Sequence, residues 1–125
     1  MLANTPNPLD YAQFINGIVY SYQDLTIAGP MSGLPELNYP AFNRAERRIS
    51  EKIGCQTLNP ARQPDGLEYE EYMRRGFADI EEATAIFLIA GWEKSKGAAR
   101  ELKYAIRKGK KIFFEEEVTG EENFN

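Results

Sequence analysis

The stretch Ser95-Lys96-Gly97-Ala98-Ala99-Arg100-Glu101 sets a hydroxyl, a glycine and a carboxylate at spacings that chemistry can use. Ser95 stands where a helix N-cap is expected, and a glycine two residues on lets backbone N–H groups approach a ligand closely. Such a helix start favours an anion such as phosphate, and Lys94 and Lys96 flank it. The same serine serves equally well as a plain helix cap. On a helix of about 100° per residue, Glu101 falls about 60° from Ala98 and about 40° from Ala105, at the border of the apolar stripe. Helical side chains lean toward the N-terminus, so this carboxylate points back at the Ser95–Gly97 turn. A carboxylate so placed is a nucleophile, a base or an ordinary surface charge. A second glycine-bearing loop, Gly29-Pro30-Met31-Ser32-Gly33, follows a short apolar run. Neither loop is a Walker A loop, and neither has the dinucleotide G-x-G-x-x-G spacing.

What is missing narrows the chemistry. The 125 residues include no histidine, which removes the commonest general base and metal ligand. Ser-His-Asp and Cys-His arrangements are excluded, a zinc site is not expected, and no cofactor is called for. The single cysteine, Cys55, rules out an internal disulfide framework and reads as a small buried apolar residue in a reducing, cytoplasmic setting. A net charge of -4 argues against nucleic acid as the primary partner. No apolar run reaches the roughly 18 residues a membrane span requires. Eight of the fifteen basic residues fall between Lys94 and Lys111, and glutamates 115, 116, 117, 121 and 122 follow. This basic stretch and acidic tail pair within the chain, pair across a dimer, or stay solvated.

Positioning those residues falls to alternating short strands and helices. Residues 1–24 read as a polar extension, with Ile18 to Tyr22 as an edge strand or turn. Leu25 to Ala28 is a strand ended by Gly29-Pro30. The segment from Gly29 to Pro40 holds too many glycines and prolines for regular structure. Phe42, Ala45, Ile49 and Ile53 recur at helical spacing, and Gly54 closes that helix. Gln56 to Leu58 is a second strand. Tyr69, Tyr72, Met73, Ile80 and Ala83 mark a second helix, and Ala85 to Ala90 a central strand buried on both faces. A third helix turns Ala98, Leu102, Ala105 and Ile106 inward and stops at Gly109. Lys111 to Phe114 is the last core strand. Residues 25–114 thus predict one α/β domain of the flavodoxin/Rossmann-like three-layer class, with four or five mostly parallel strands and helices on both faces; residues 115–125 form an acidic tail. In such sheets ligands bind beyond the carboxyl ends of the strands, where strand order reverses.

The run I-A-G-P-M-S-G-L-P with N-Y-P-A-F-N after it, L-N-P after the second strand, E-E-Y-M-R-R in the second helix and G-W-E-K-S-K-G-A-A-R-E resembles the nucleoside 2-deoxyribosyltransferase-like superfamily. More closely, it resembles a small phage and bacterial family related to deoxynucleoside 5′-monophosphate N-glycosidases. The resemblance covers roughly residues 25 to 114. It implies that Glu101 attacks C1′ of a deoxyribose, that Ser95 helps hold a 5′-phosphate, and that the Gly29–Gly33 loop lines the sugar and base pocket. The implied substrate-binding set is Gly29, Pro30, Met31, Ser32, Gly33, Asn59, Trp92, Ser95, Gly97 and Ala98. Relatives carry an aspartate after M-R-R that helps the base leave; here Gly76 stands there, with Asp79 one turn on as the substitute. Water as second nucleophile makes a hydrolase, another base a transferase. The alternative is a nucleotide- or ADP-ribose-type ligand sensor without turnover, and a third reading is a partner-binding module with an empty pocket. Trp92 stacks on a base or caps the core, Glu93 touches the sugar or caps a turn, and Tyr39 and Phe42 close the pocket, although Phe42 also fits the apolar stripe. The resemblance further implies a homo-oligomer, with no nucleic-acid or membrane partner.

Overall fold

A computed structural model describes residues 24–52 and 54–115. The expected N-terminal extension with its Ile18–Tyr22 strand, Ile53, and the acidic tail beyond Glu115 lie outside the described residues. The elements are β1 (Asp24–Ala28), α1 (Tyr39–Lys52), β2 (Gln56–Leu58), α2 (Tyr69–Glu82), β3 (Ala85–Leu88), α3 (Lys96–Arg107) and β4 (Lys111–Phe114). Single 3-10 turns at Pro35–Asn38, Pro60–Arg62 and Trp92–Lys94 join them.

Every strand pair is parallel, in the order β2-β1-β3-β4. Leu25 lies beside Thr57 on one side and Ala85 on the other, and Ala85 lies in turn beside Lys111. Because side chains alternate along a strand, β1 and β3 each supply both faces of the sheet. Leu25, Ile27, Ala85, Phe87 and Ile89 pack with Phe42, Ala45 and Ile49 of α1. Ala28, Ile86 and Leu88 pack on the other face with Ile80 of α2 and with Ala98 and Ala105 of α3. One helix over one face and two over the other give the three layers that the sequence implies. The unbroken burial of Ala85 to Leu88 is what a central strand covered on both faces requires.

Local chemistry fixes the ends. Gly54, at φ +83°, closes α1 by donating to the Ile49 carbonyl at 3.0 Å. Gly109, at φ +72°, does the same for α3 against Ile106. Ser95 caps α3 by accepting from the Ala98 N–H at 3.0 Å. One inward expectation fails: Ile106 is 60% exposed. It sits about 80° round the helix from Ala98, on the flank opposite Glu101, and the narrow α3 stripe closes before reaching it.

The basic stretch finds partners inside the chain. Arg100 pairs with Glu70, and Lys108 with Glu81, both acids lying on α2. Tyr104 also donates to Glu81, and Lys110 to the Glu81 carbonyl. Such exposed pairs bridge α3 to α2 and contribute little stability each.

Candidate functional site

The strand order reverses between β1 and β3, since their connections run to opposite sides of the sheet. Beyond the carboxyl ends of these two strands lies a cleft of about 590 Å³. Ala28 to Ser32 leave β1 on one side of it, and Ala90 and Gly91 leave β3 on the other. Gly29 is demanded here by close approach: a Cβ on it would overlap Ile89 Cγ1 and stand 2.6 Å from Cδ1. Ile89 is buried, and its N–H donates to the Ala28 carbonyl at 3.0 Å, so neither strand end has room to give. Glu115 reaches across from the end of β4 and accepts from the Ala90 N–H at 2.7 Å.

Over the β1 side runs a left-handed turn of three non-glycine residues, Glu36, Leu37 and Asn38, at φ 53°, 51° and 63°. That conformation costs each roughly 1–2 kcal/mol. The Asn38 amide holds the turn down by donating to the Pro30 carbonyl at 2.9 Å. Leu34 and Leu37 thereby face the cleft.

The far wall is α2. Tyr69, Tyr72, Met73 and Gly76 line the cleft from it, and Phe42 lines it from α1. Tyr72 is tied to the β2–α2 loop, its hydroxyl accepting from Leu67 N–H at 3.4 Å and donating to the Pro64 carbonyl at 3.3 Å. At the base, Lys94 to Ala98 bring the start of α3 to the cleft, and Glu101 closes it one turn deeper. Glu101 is the only acid among the lining residues, set against the two cations Lys94 and Lys96. The site therefore combines an apolar and aromatic lining with a cationic helix start, and Tyr69 and Met73 pack directly against Gly97 of that start.

Glu101 is half-buried, and among the described residues no hydrogen bond holds its carboxylate. Burial, then the charge of Asp79, pushes its pKa up to about 8 against the opposing pull of Arg100. Its room comes from Gly76, because a Cβ there would overlap Glu101 Oε2 and stand 3.0 Å from Cδ.

Of the residues singled out in the sequence, Gly29, Pro30, Met31, Ser32, Ser95, Gly97, Ala98 and Glu101 line this cleft. Gly33, Asn59, Trp92 and Asp79 do not. Gly33 takes φ +78° in the exposed turn beyond Ser32. Asn59 is buried in a polar network: its amide donates to Asn43 and Glu46, and its carbonyl accepts from Ala61 N–H. Glu46 anchors that network. Burial raises its pKa, but hydrogen bonds from Arg62, Asn59 and Thr57 outweigh this and hold it below the usual range. Trp92 packs on Phe114 at 5.4 Å between ring centroids, as part of the core under α3. Glu93 is exposed in the 3-10 turn. Phe42 both lines the cleft and is fully buried, whereas Tyr39 points away and donates to Asp65 at 3.1 Å.

Asp79 opens into a neighbouring cleft of about 310 Å³ with Asn59, Arg74 and Arg75, and Gln63 borders both clefts. Burial and then Glu82 raise its pKa, with Arg75 opposing. Sequence reasoning did not single out Tyr69, Tyr72, Met73 or Gln63 as lining residues. The signal was present in α2: two tyrosines three residues apart, with Met73 four after the first, form one face that begins with polar-tipped rings rather than aliphatics. Cys55 packs partly buried beside the α1 core, where burial pushes its thiol up to about 11 and leaves it unreactive. Among the described residues, no group of three or more His, Cys, Asp or Glu side chains is placed to hold a metal, and no helix is long and apolar enough to cross a membrane.

The model of a protein family described as "Domain of unknown function (DUF4406)" matches residues 23–114. No curated protein sequence matches the chain. Among solved structures, the solution structure of BlsM is similar, with a TM-score of 0.52 and 21% sequence identity over 67% of this chain. The matched part spans 58% of the BlsM chain, less than two thirds of its length, and the likeness is one of fold.

Proposed function

The chain belongs to the DUF4406 family, and from that premise and the cleft's chemistry we propose that it cleaves the N-glycosidic bond of a deoxynucleoside 5′-monophosphate, with Glu101 as nucleophile. The observation that carries this reading is the lone carboxylate at the base of the cleft, which a cationic helix start and an aromatic and apolar lining share. A flat base lies against the lining away from the α3 start, Leu34, Leu37 and Tyr72. The phosphate takes the N–H groups of α3 with Lys94, Lys96 and the Ser95 hydroxyl. The sugar lies between them, with C1′ toward Glu101.

In the first step a Glu101 oxygen forms a bond to C1′ as the C1′–N bond breaks, and the bond's electron pair leaves with the base, which takes up a proton from solvent. Water then attacks C1′, releasing Glu101 as carboxylate, the free sugar phosphate and a proton. Replacement of water by a second base turns the hydrolase into a deoxyribosyltransferase. Asp79, which opens into the neighbouring cleft, acts on Glu101 through its charge rather than on the base. The same reading carries a homo-oligomeric state and a cytoplasmic setting.

Incubation with a panel of deoxynucleosides and their 5′-monophosphates, followed by chromatography for free base, tests the proposal. Base release is expected from the parent and loss of about 1000-fold or more in Glu101→Gln. A folded Glu101→Gln chain that released base at the parent's rate would remove Glu101 from the reaction. One observation favours a second reading, a ligand sensor without turnover: Gly76 stands where the resemblance expects an aspartate, and the cleft lining offers no other acid beside Glu101. Nucleotides that raise the melting temperature with no product over hours would select it.

A further inference from the structure

Gly76 sits in the middle of α2 without a positive φ, so the backbone there does not require glycine. Space does. A Cβ at this position would overlap the Glu101 carboxylate, while the next contact of α2 with α3 shows the reverse arrangement. There Gly97 supplies the gap and Met73 the filling side chain, whose Sδ would lie 3.2 Å from a Cβ on Gly97. Residues 73 and 76 of α2 thus meet residues 97 and 101 of α3 as side chain into gap, then gap under side chain. With no hydrogen bond holding Glu101 among the described residues, packing into this notch is what orients its carboxylate.

We propose that Gly76 is the positioning residue of Glu101: the missing side chain is the seat of the carboxylate. The proposal rests on the reading of Glu101 as the reactive group, but its physical core is testable without any reaction. The groups that share the field of Glu101 are Asp79 on α2 and Arg100 on α3. Tyr69, Tyr72, Lys94 and Lys96 face the same cleft. None of them is altered by substitution at Gly76. Because the atom that must move is the end of a flexible side chain and not backbone, Gly76→Ala is expected to fold and to displace the carboxylate toward solvent.

The test uses the full chain with carboxyl-carbon-labelled glutamate, in which the Glu101 resonance is identified by its loss in Glu101→Gln. In Gly76→Ala the Glu101 titration midpoint is expected to fall by at least one pH unit, with a melting temperature no lower than the parent's. On a deoxynucleoside 5′-monophosphate, kcat of Gly76→Ala is expected to fall at least tenfold with KM little changed. Pairing Gly76→Ala with Glu101→Asp, whose shorter side chain clears the new methyl, should cost less than the two single losses combined. An unchanged Glu101 midpoint in folded Gly76→Ala would overturn the proposal. So would a Gly76→Ala chain that fails to fold even alongside Glu101→Asp, since the glycine would then serve helix packing alone. A shifted midpoint in a parent that shows no turnover would sink the glycosidase reading and leave the notch intact.

Discussion

Glu101 has a titration that both activity and stability should report. Its pKa stands at about 8, raised from the usual carboxyl range chiefly by burial. A nucleophile must be ionised, so kcat/KM is expected to rise about tenfold per pH unit between roughly pH 6 and 8 and then level off. A flat or falling profile over that window would point to an acid rather than a nucleophile. For stability the sign is the opposite. Between the ordinary carboxyl range and about pH 8 the folded chain keeps a proton that the unfolded chain has lost, so folding stability declines as pH rises through that window. Glu101→Gln, neutral at every pH, should therefore be more stable than the parent above pH 8, by on the order of 2 kcal/mol, with the gap closing near pH 5. Paired denaturant melts at the two pH values would measure it. The sequence placed Glu101 at the border of a helical stripe; that its neighbour across the gap is a glycine required two helices to meet.

At the scale of elements, nearly everything local was readable. Gln56–Leu58 and Lys111–Phe114 form the strands their β-prone composition predicts, and Ser95, Gly54 and Gly109 end helices as their chemistry dictates. The loops were less legible because their residues answer to distant partners. Asn59 looked like a ligand contact, yet Asn43 and Glu46 of α1 claim its amide. Trp92 went to Phe114 rather than to the cleft. Gly29 is the element-scale counterpart of Gly76: it lets the ends of β1 and β3 close on each other at the cleft's edge. Gly29→Ala drives a methyl into the buried Ile89 side chain and should destabilise the fold by about 1–3 kcal/mol, read as a shift in denaturant midpoint with unchanged slope. An unshifted midpoint would mean that the strand ends have slack the packing does not suggest.

For the molecule as a whole, the cleft is cationic although the chain carries a net charge of -4. The acids sit elsewhere: Glu70, Glu71 and Glu81 on α2 are engaged by arginines, a lysine and a tyrosine. Global charge is thus a poor guide to the ligand, and the two lysines at one helix start are a better one. The homo-oligomer proposed above is an expectation at this scale. Light scattering at micromolar concentration should give a mass at least twice that of one chain, and a monomer would count against it.

By itself the sequence determined the element order, the parallel three-layer class and the strand ends at which the cleft opens. These follow from periodicity, turn chemistry and the buried β3 run, all of which act over a few residues. Only the tertiary structure decided which candidates share a cleft. It separated Asp79 from Glu101 into two clefts, withdrew Asn59 and Trp92 into the fold, and brought Tyr69, Tyr72 and Met73 to the wall. It also turned Gly76 from a gap in a motif into the seat of Glu101. The physical reason is that helical spacing fixes which face a residue occupies, whereas what that face meets depends on how closely two helices approach across the sheet.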